Sequence, residues 1–194
     1  MTPHAISFAI QSPWHIGSGE EGGAYADSLM LKDGAGLPYV PGKSIKGLFR
    51  EAFMQAAENH WFDGALDETA ICTLFGQEGN NTFTQGTLHF SSATLSEPEQ
   101  AYFHENAQSV AQLFRVVQST AIDFKTGVAK NTSLRALEVA VPMDLQASVS
   151  WEANPYQQQL VSWLSACSCL ILALGAKRHR GLGVVRVDLQ GEMV

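Results

Sequence analysis

Three short segments hold most of the side chains in this sequence that can grip phosphate. Lys43, Lys46 and Arg50 form one group, Lys125 and Lys130 a second, and Lys177, Arg178 and Arg180 a third. Together they account for eight of the twelve Lys and Arg residues. The acids lie elsewhere, chiefly at Glu20 and Glu21 and within residues 63–68 and 97–105. The formal net charge of −7 argues by itself against a nucleic-acid binder. Placement permits a locally basic surface on an acidic protein, provided that the three segments meet in space.

The glycines around these cations narrow the chemistry. Gly42-Lys43-Ser44 has the ending of a nucleotide-binding P-loop, but Leu37 stands where that motif needs its first glycine. Pro41 also lies inside the would-be loop and has no N–H to offer a phosphate. An NTPase is therefore not expected. A helix start remains: Gly42 lets the backbone come close to a ligand, and unpaired N–H groups there favour an anion. Lys46 and Arg50 are four residues apart and share one helix face. A run of phosphates fits this pattern, as does a plain solvated helix face. The segment Gly175-Ala176-Lys177-Arg178-His179-Arg180-Gly181-Leu182-Gly183 places three cations and a histidine between glycines that permit sharp turns. Its side chains and exposed backbone N–H groups can both contact phosphate. The alternative is an ordinary basic loop. Gly17-Ser18-Gly19-Glu20-Glu21-Gly22 formally fits a dinucleotide fingerprint, but turn-prone residues follow it instead of a helical period, so no Rossmann site is expected.

The elements that must position these segments are readable in outline. Residues 5–10 alternate and form a strand. Residues 27–32 can pair as a short strand, and Asp33-Gly34-Ala35-Gly36 is a turn. A helix starts at Ser44, with Ile45, Leu48, Phe49, Ala52, Phe53 and Ala56 at the 3.6-residue period of one buried face. A shorter helix runs over 67–75, capped by Asp67 and stopped at Gly76. Residues 88–90 form a strand, and 107–117 are ambiguous. Residues 120–127 read as a strand running into a polar loop. Residues 134–141 alternate weakly and 146–151 well. A mostly apolar helix is expected over 156–174, ended by Gly175, and a last strand over 183–189. The two best helices are flanked in the order strand, helix, strand, strand, helix, strand, which is the ferredoxin-like βαββαβ arrangement. The fold class is α+β.

The 194 residues suit one domain. Cys72, Cys167 and Cys169 match no zinc spacing and read as reduced thiols in the core, which implies a cytoplasmic location. No cofactor is expected to be needed for folding. Residues 1–11 lack the pattern of a secretory leader. The longest apolar run, near 170–174, is too short to span a bilayer, so no membrane partner is expected.

Three segments together resemble one family. Pro38-Tyr39-Val40-Pro41-Gly42-Lys43-Ser44-Ile45-Lys46-Gly47-Leu48-Phe49-Arg50 is similar to its helix-start motif. Residues 176–185 resemble its C-terminal glycine-rich loop, and Trp14-His15-Ile16-Gly17-Ser18-Gly19 resembles the segment after its first strand. The family is the RAMP superfamily, nearest to the backbone (Csm- and Cmr-type) subunits of type III CRISPR effector complexes. The resemblance covers essentially the whole chain, more loosely in the middle third. It implies a modified, RRM-like ferredoxin fold over 1–194, with insertions at about 60–115, a thumb hairpin at about 119–138 and a loop lid. It implies a CRISPR guide RNA and its target RNA as partners, together with further copies of the chain and other effector subunits. His15, Gly42, Lys43, Ser44, Lys46, Arg50, Lys177, Arg178 and Arg180 fall on its RNA-contacting positions, with Lys43 where the family often has serine. Lys125 and Lys130 add charge in the thumb.

The resemblance also implies chemistry. Tyr25-Ala26-Asp27-Ser28-Leu29-Met30 fits the loop that carries an acid in RNA-cleaving members, with Asp27 at the catalytic position. A carboxylate there can hold Mg²⁺ or another divalent cation that assists attack on the scissile phosphate. The alternative is a turn aspartate capping the next strand. Residues 121–137 resemble the thumb, in which Ile122, Phe124 or Val128 can wedge against an unstacked base, or else belong to the core. The expected function is guide-RNA binding with metal-dependent endonucleolysis of the paired target. A non-cleaving structural or capping subunit is the alternative. A maturation endonuclease built on His15 or His179 is a third reading, although such enzymes typically carry two such domains.

Overall fold

A computed structural model describes residues 3–79, 82–131 and 133–192. In chain order the elements are β1 (His4–Ile10), α1 (Gly42–Glu58), α2 (Glu68–Phe75), β2 (Gly76–Gly79), β3 (Thr82–Gln85), β4 (Leu88–Phe90), α3 (Glu97–Glu105), β5 (Phe114–Ser119), β6 (Arg135–Ala140), β7 (Met143–Trp151), α4 (Leu160–Ser168) and β8 (Val185–Glu192). Alternation makes β1 two-faced, with Ile6, Phe8 and Ile10 buried. This strand is central, pairing antiparallel with β7 on one side and β8 on the other. With β4 added outside β7, the sheet order is β4-β7-β1-β8. Reduced to β1, α1, β4, β7, α4 and β8, the chain is the expected βαββαβ unit.

The core forms where the two helices meet that sheet. Ile45, Phe49, Ala52, Phe53 and Ala56 are the buried face of α1, as their period predicts. Phe49 stacks on Phe90 of β4 at 5.1 Å between ring centroids. Leu160, Trp163, Leu164 and Cys167 face inward from α4. Each such large apolar side chain contributes about 1.5–3 kcal/mol by leaving water. Among the described residues, no helix is long and apolar enough to cross a membrane.

Several elements depart from expectation. The helix expected over 156–174 is regular only at Leu160–Ser168. Beyond it the backbone is drawn into a bridge: Val185 N–H donates to Leu172 O (3.0 Å) and Leu174 N–H to Gly183 O (2.9 Å). Those strand-like bonds compete with continued helix. Residues 27–32 make isolated bridges in place of a strand, Gly17 with Met30, Ser28 with Leu137 and Lys32 with Pro38. The ambiguous 107–117 stretch is a 3₁₀ segment, Ala107–Leu113, followed by β5. Helix α3 and the β2–β3 hairpin were not foreseen. The core strand β4 interrupts the 60–115 stretch read as insertion. Cys167 is buried, which pushes its thiol up to about 12, whereas Cys169 is exposed and so not a core residue as read from the sequence.

Candidate nucleic-acid interface

The site is built on His15. Its Nδ1 lies 2.6 Å from the Glu138 carbonyl oxygen and its Nε2 3.2 Å from Ser28 Oγ. A carbonyl oxygen only accepts, so Nδ1 carries the hydrogen; a neutral ring then accepts from the Ser28 hydroxyl at Nε2. Desolvation by burial holds this imidazole below the usual histidine range, and the nearby Lys177 charge adds to that. At 3 % exposure both ring nitrogens are engaged within the protein.

Asp27 is fixed beside it by β6. Its N–H donates to Ala136 O (2.9 Å), and its Oδ2 accepts from Ala136 N–H (2.6 Å). The residue is exposed, and Oδ1 has no partner among the described residues. The same strand supplies Glu138, a carboxylate at 3 % exposure. Its Oε2 accepts from Met30 N–H (2.9 Å) and its Oε1 from Lys32 Nζ (3.0 Å). Lys32 in turn lies 4.1 Å over the Phe114 ring. Through these bonds β6 holds residues 27–32 from one side.

The glycine-rich loop closes the other side. Ala176 N–H donates to the His15 carbonyl (2.8 Å). Gly175 has φ +78°, and a Cβ there would collide with that same carbonyl. The loop continues as a 3₁₀ turn, Arg178–Arg180, entered through Lys177 in the left-handed region. His15, Asp27, Ser28 and Arg135 come together with Lys177, His179 and Arg180 in a cleft of about 660 Å³. Ser44 of α1 and Arg178 share a neighbouring cleft of about 340 Å³ with Gly17 and Gly175. The loop and the helix start therefore do meet. Arg178 also reaches Glu51 of α1 at 3.5 Å.

The helix start differs from its expected role in detail. A Cβ at Gly42 would strike the Phe90 carbonyl, so the glycine admits β4 rather than a ligand. Gly42 N–H donates to Ser92 Oγ (3.3 Å), and the N–H groups of Ser44 and Ile45 donate to Pro41 O (2.9 and 3.1 Å). Little free N–H is left for an anion. Lys46 Nζ donates to Leu88 O (3.0 Å), and desolvation together with the Arg50 charge lowers its pKa. Lys43 and Arg50 are exposed. Lys46 is thus tied to β4, away from the Asp27 cleft.

Strands β5 and β6 form a two-stranded ribbon from Phe114↔Ala140 to Ser119↔Arg135, longer at its base than the expected 119–138. Its tip is ordered by its own bonds. Ile122 bridges Ala129, Asp123 N–H donates to Val128 O (2.8 Å), and Asp123 Oδ1 accepts from Lys125 N–H (2.9 Å) and Thr126 N–H (3.1 Å). Those backbone donors, Thr126 first, lower the Asp123 pKa. Ile122, Phe124 and Val128 are 60, 100 and 62 % exposed, which removes the core alternative for all three. Lys125 and Lys130 are exposed on the same tip.

A sequence model of the RAMP superfamily matches residues 8–186. The chain belongs to the RAMP superfamily. Among solved structures, it is similar to a chain of the type III-B Cmr-β complex bound to cognate target RNA, with a TM-score of 0.73 and 12 % identity over 97 % of both chains. It is also similar to a chain of type III-B Cmr-β in the apo state, with a TM-score of 0.70 and 13 % identity over 97 % of both. At such identity the likeness is one of fold. No curated protein matches the sequence significantly.

On this RAMP fold the sequence reading missed several side chains of the site, Ser28 among them. Arg135 enters the cleft from the first residue of β6, and Glu138 stands behind it. Glu138 gave no local signal: an acid between apolar Leu137 and Val139 reads as the solvent face of an alternating strand, and its burial rests on the distant partners Met30 and Lys32. Among the described residues, no group of three or more His, Cys, Asp and Glu could hold a metal ion. Asp27 alone fits a hard cation that takes its other ligands from water and phosphate, as Mg²⁺ does. The exposed Glu20 and Glu21 near the site have no structural explanation.

Proposed function

We propose that this chain is an RNA-binding backbone subunit of a type III CRISPR interference complex, and that it cuts guide-paired target RNA at Asp27. The observation that supports this most is the cleft in which Asp27 stands exposed among Arg135, Lys177 and Arg180. Arginine and lysine there neutralise phosphate without reading bases, which suits a protein that leaves sequence selection to pairing. The exposed thumb residues Ile122, Phe124 and Val128 supply apolar surface for an unstacked base. A divalent cation at Asp27 would supply charge neutralisation at the scissile phosphate. The chain's own part is to fix the carboxylate through Ala136, to clamp the phosphates on either side, and to keep His15 neutral beneath them. The partners on this reading are guide RNA, target RNA, further copies of the chain and other effector subunits.

A non-cleaving structural subunit is the second reading. It is favoured by Oδ2 of Asp27 already being used by Ala136 N–H and by Asp27 being the one carboxylate among the described residues that line the cleft. Cleavage of a complementary RNA by the assembled complex with Mg²⁺ decides between them. Under the first reading Asp27→Ala binds target normally and loses cleavage. If the Asp27→Ala and unsubstituted complexes behave alike, whether both cut or neither does, Asp27 is not the active group.

A further inference from the structure

RNA cleavage by an internal 2′-hydroxyl needs a proton delivered to the departing 5′-oxygen, and the Asp27 cleft contains one exposed imidazole suited to that task. We propose that His179 is the general acid, an inference that rests on the cleavage reading above. His15 is excluded by geometry: its Nδ1–H is held by Glu138 O, its Nε2 by Ser28 Oγ, and it is buried. His179 is exposed and lies in the same cleft as Asp27, on the wall made by the glycine-rich loop. Arg135 and Arg180 stabilise charge there but do not release a proton at neutral pH. Imidazole changes its charge in the physiological range, which suits proton delivery.

The loop holds His179 in place. Arg180 N–H donates to Lys177 O (2.9 Å) and Ala176 N–H to the His15 carbonyl (2.8 Å), so the turn that carries the ring is tied to the residue beneath the cleft. The charged groups lining the clefts that His179 borders are Lys177, Arg178 and Arg180 on its own loop, Asp27 and Arg135 in the Asp27 cleft, and Glu51 of α1 in a second cleft. In the proposed step a hydroxide ion from solvent takes the 2′-hydroxyl proton. The 2′-oxygen bonds to phosphorus, the bond from phosphorus to the 5′-oxygen breaks, and the His179 imidazolium gives that oxygen its proton. The products are a 2′,3′-cyclic phosphate and a 5′-hydroxyl, and solvent reprotonates the ring.

The test uses the assembled complex with its guide and two complementary targets, one natural and one with sulfur in place of the 5′-bridging oxygen at the cut. A thiolate leaves without a proton. His179→Gln is expected to bind both targets normally and to cut the natural one about 10²–10⁴-fold more slowly. It is expected to cut the sulfur-bridged target within about tenfold of the unsubstituted complex. Equal slowing on both targets, or no slowing, overturns the general-acid role while leaving Asp27 cleavage intact. Failure of the unsubstituted complex to cut either target overturns the cleavage reading and this inference with it.

Discussion

Replacing Glu138 by alanine isolates the contact that couples β6 to the Asp27 segment. The carboxylate accepts from the backbone N–H of Met30, a residue at 2 % exposure, and from Lys32, whose side chain is 34 % exposed. Removing it leaves a buried N–H unpaired, at about 1–3 kcal/mol. Lys32 regains water, so its lost partner adds only about 0–1 kcal/mol. One methylene also leaves the interior, at about 0.8 kcal/mol. The sum is about 2–5 kcal/mol. For a chain of 194 residues this lowers Tm by about 4–20 °C. Glu138→Gln keeps an oxygen acceptor for Met30 but puts an NH2 donor where Lys32 donated, and the partly exposed Lys32 can turn to water, so its cost is about 1 kcal/mol. The assay is urea unfolding of the purified chain, with an unchanged m-value showing that stability alone has moved. A loss below about 0.5 kcal/mol for Glu138→Ala, or a Gln variant as costly as Ala, would refute the reasoning.

Two further perturbations probe the same framework. Phe124 is fully exposed, so Phe124→Ala leaves folding stability within about 0.5 kcal/mol while target affinity in the assembled complex falls by about 1–3 kcal/mol; unchanged affinity removes the stacking role. His15 sets an acid limit to stability: its folded pKa lies below 6.5, so as pH falls through 6.5 the unfolded chain takes up a proton that the folded chain refuses. Stability is therefore fully present above that pH and declines beneath it, whereas Asp123 contributes a loss only below its ordinary 3.8. Unfolding curves between pH 5 and 8 should slope for the unsubstituted chain and flatten for His15→Gln, and parallel curves would dismiss the effect.

What the sequence showed and what it hid follow from the range of the interactions. The buried face of α1 and the alternation of β1 are local patterns, readable because each residue's neighbours along the chain decide its environment. The end of α4 is decided by Val185 and Gly183, which claim the backbone of 172–174 from outside the helix. Helix α3 buries none of its residues and has no apolar period. Only its capping box, Ser96 with Glu99, announced it, and that signal was there to be read. The site shows the same divide. Asp27 and the glycine-rich loop were legible through motifs, but the bond from Ala136 to Asp27 spans 109 positions, and nothing local assigns Arg135 or Glu138 to that company. Charge behaves likewise. A chain of net charge −7 gathers Arg135, Lys177 and Arg180 around one exposed acid in its cleft, while Lys46, equally basic in the sequence, is tied to the carbonyl of Leu88. The field that a phosphate meets in the cleft is set by which segments the fold brings together, and the total charge of the chain does not report it.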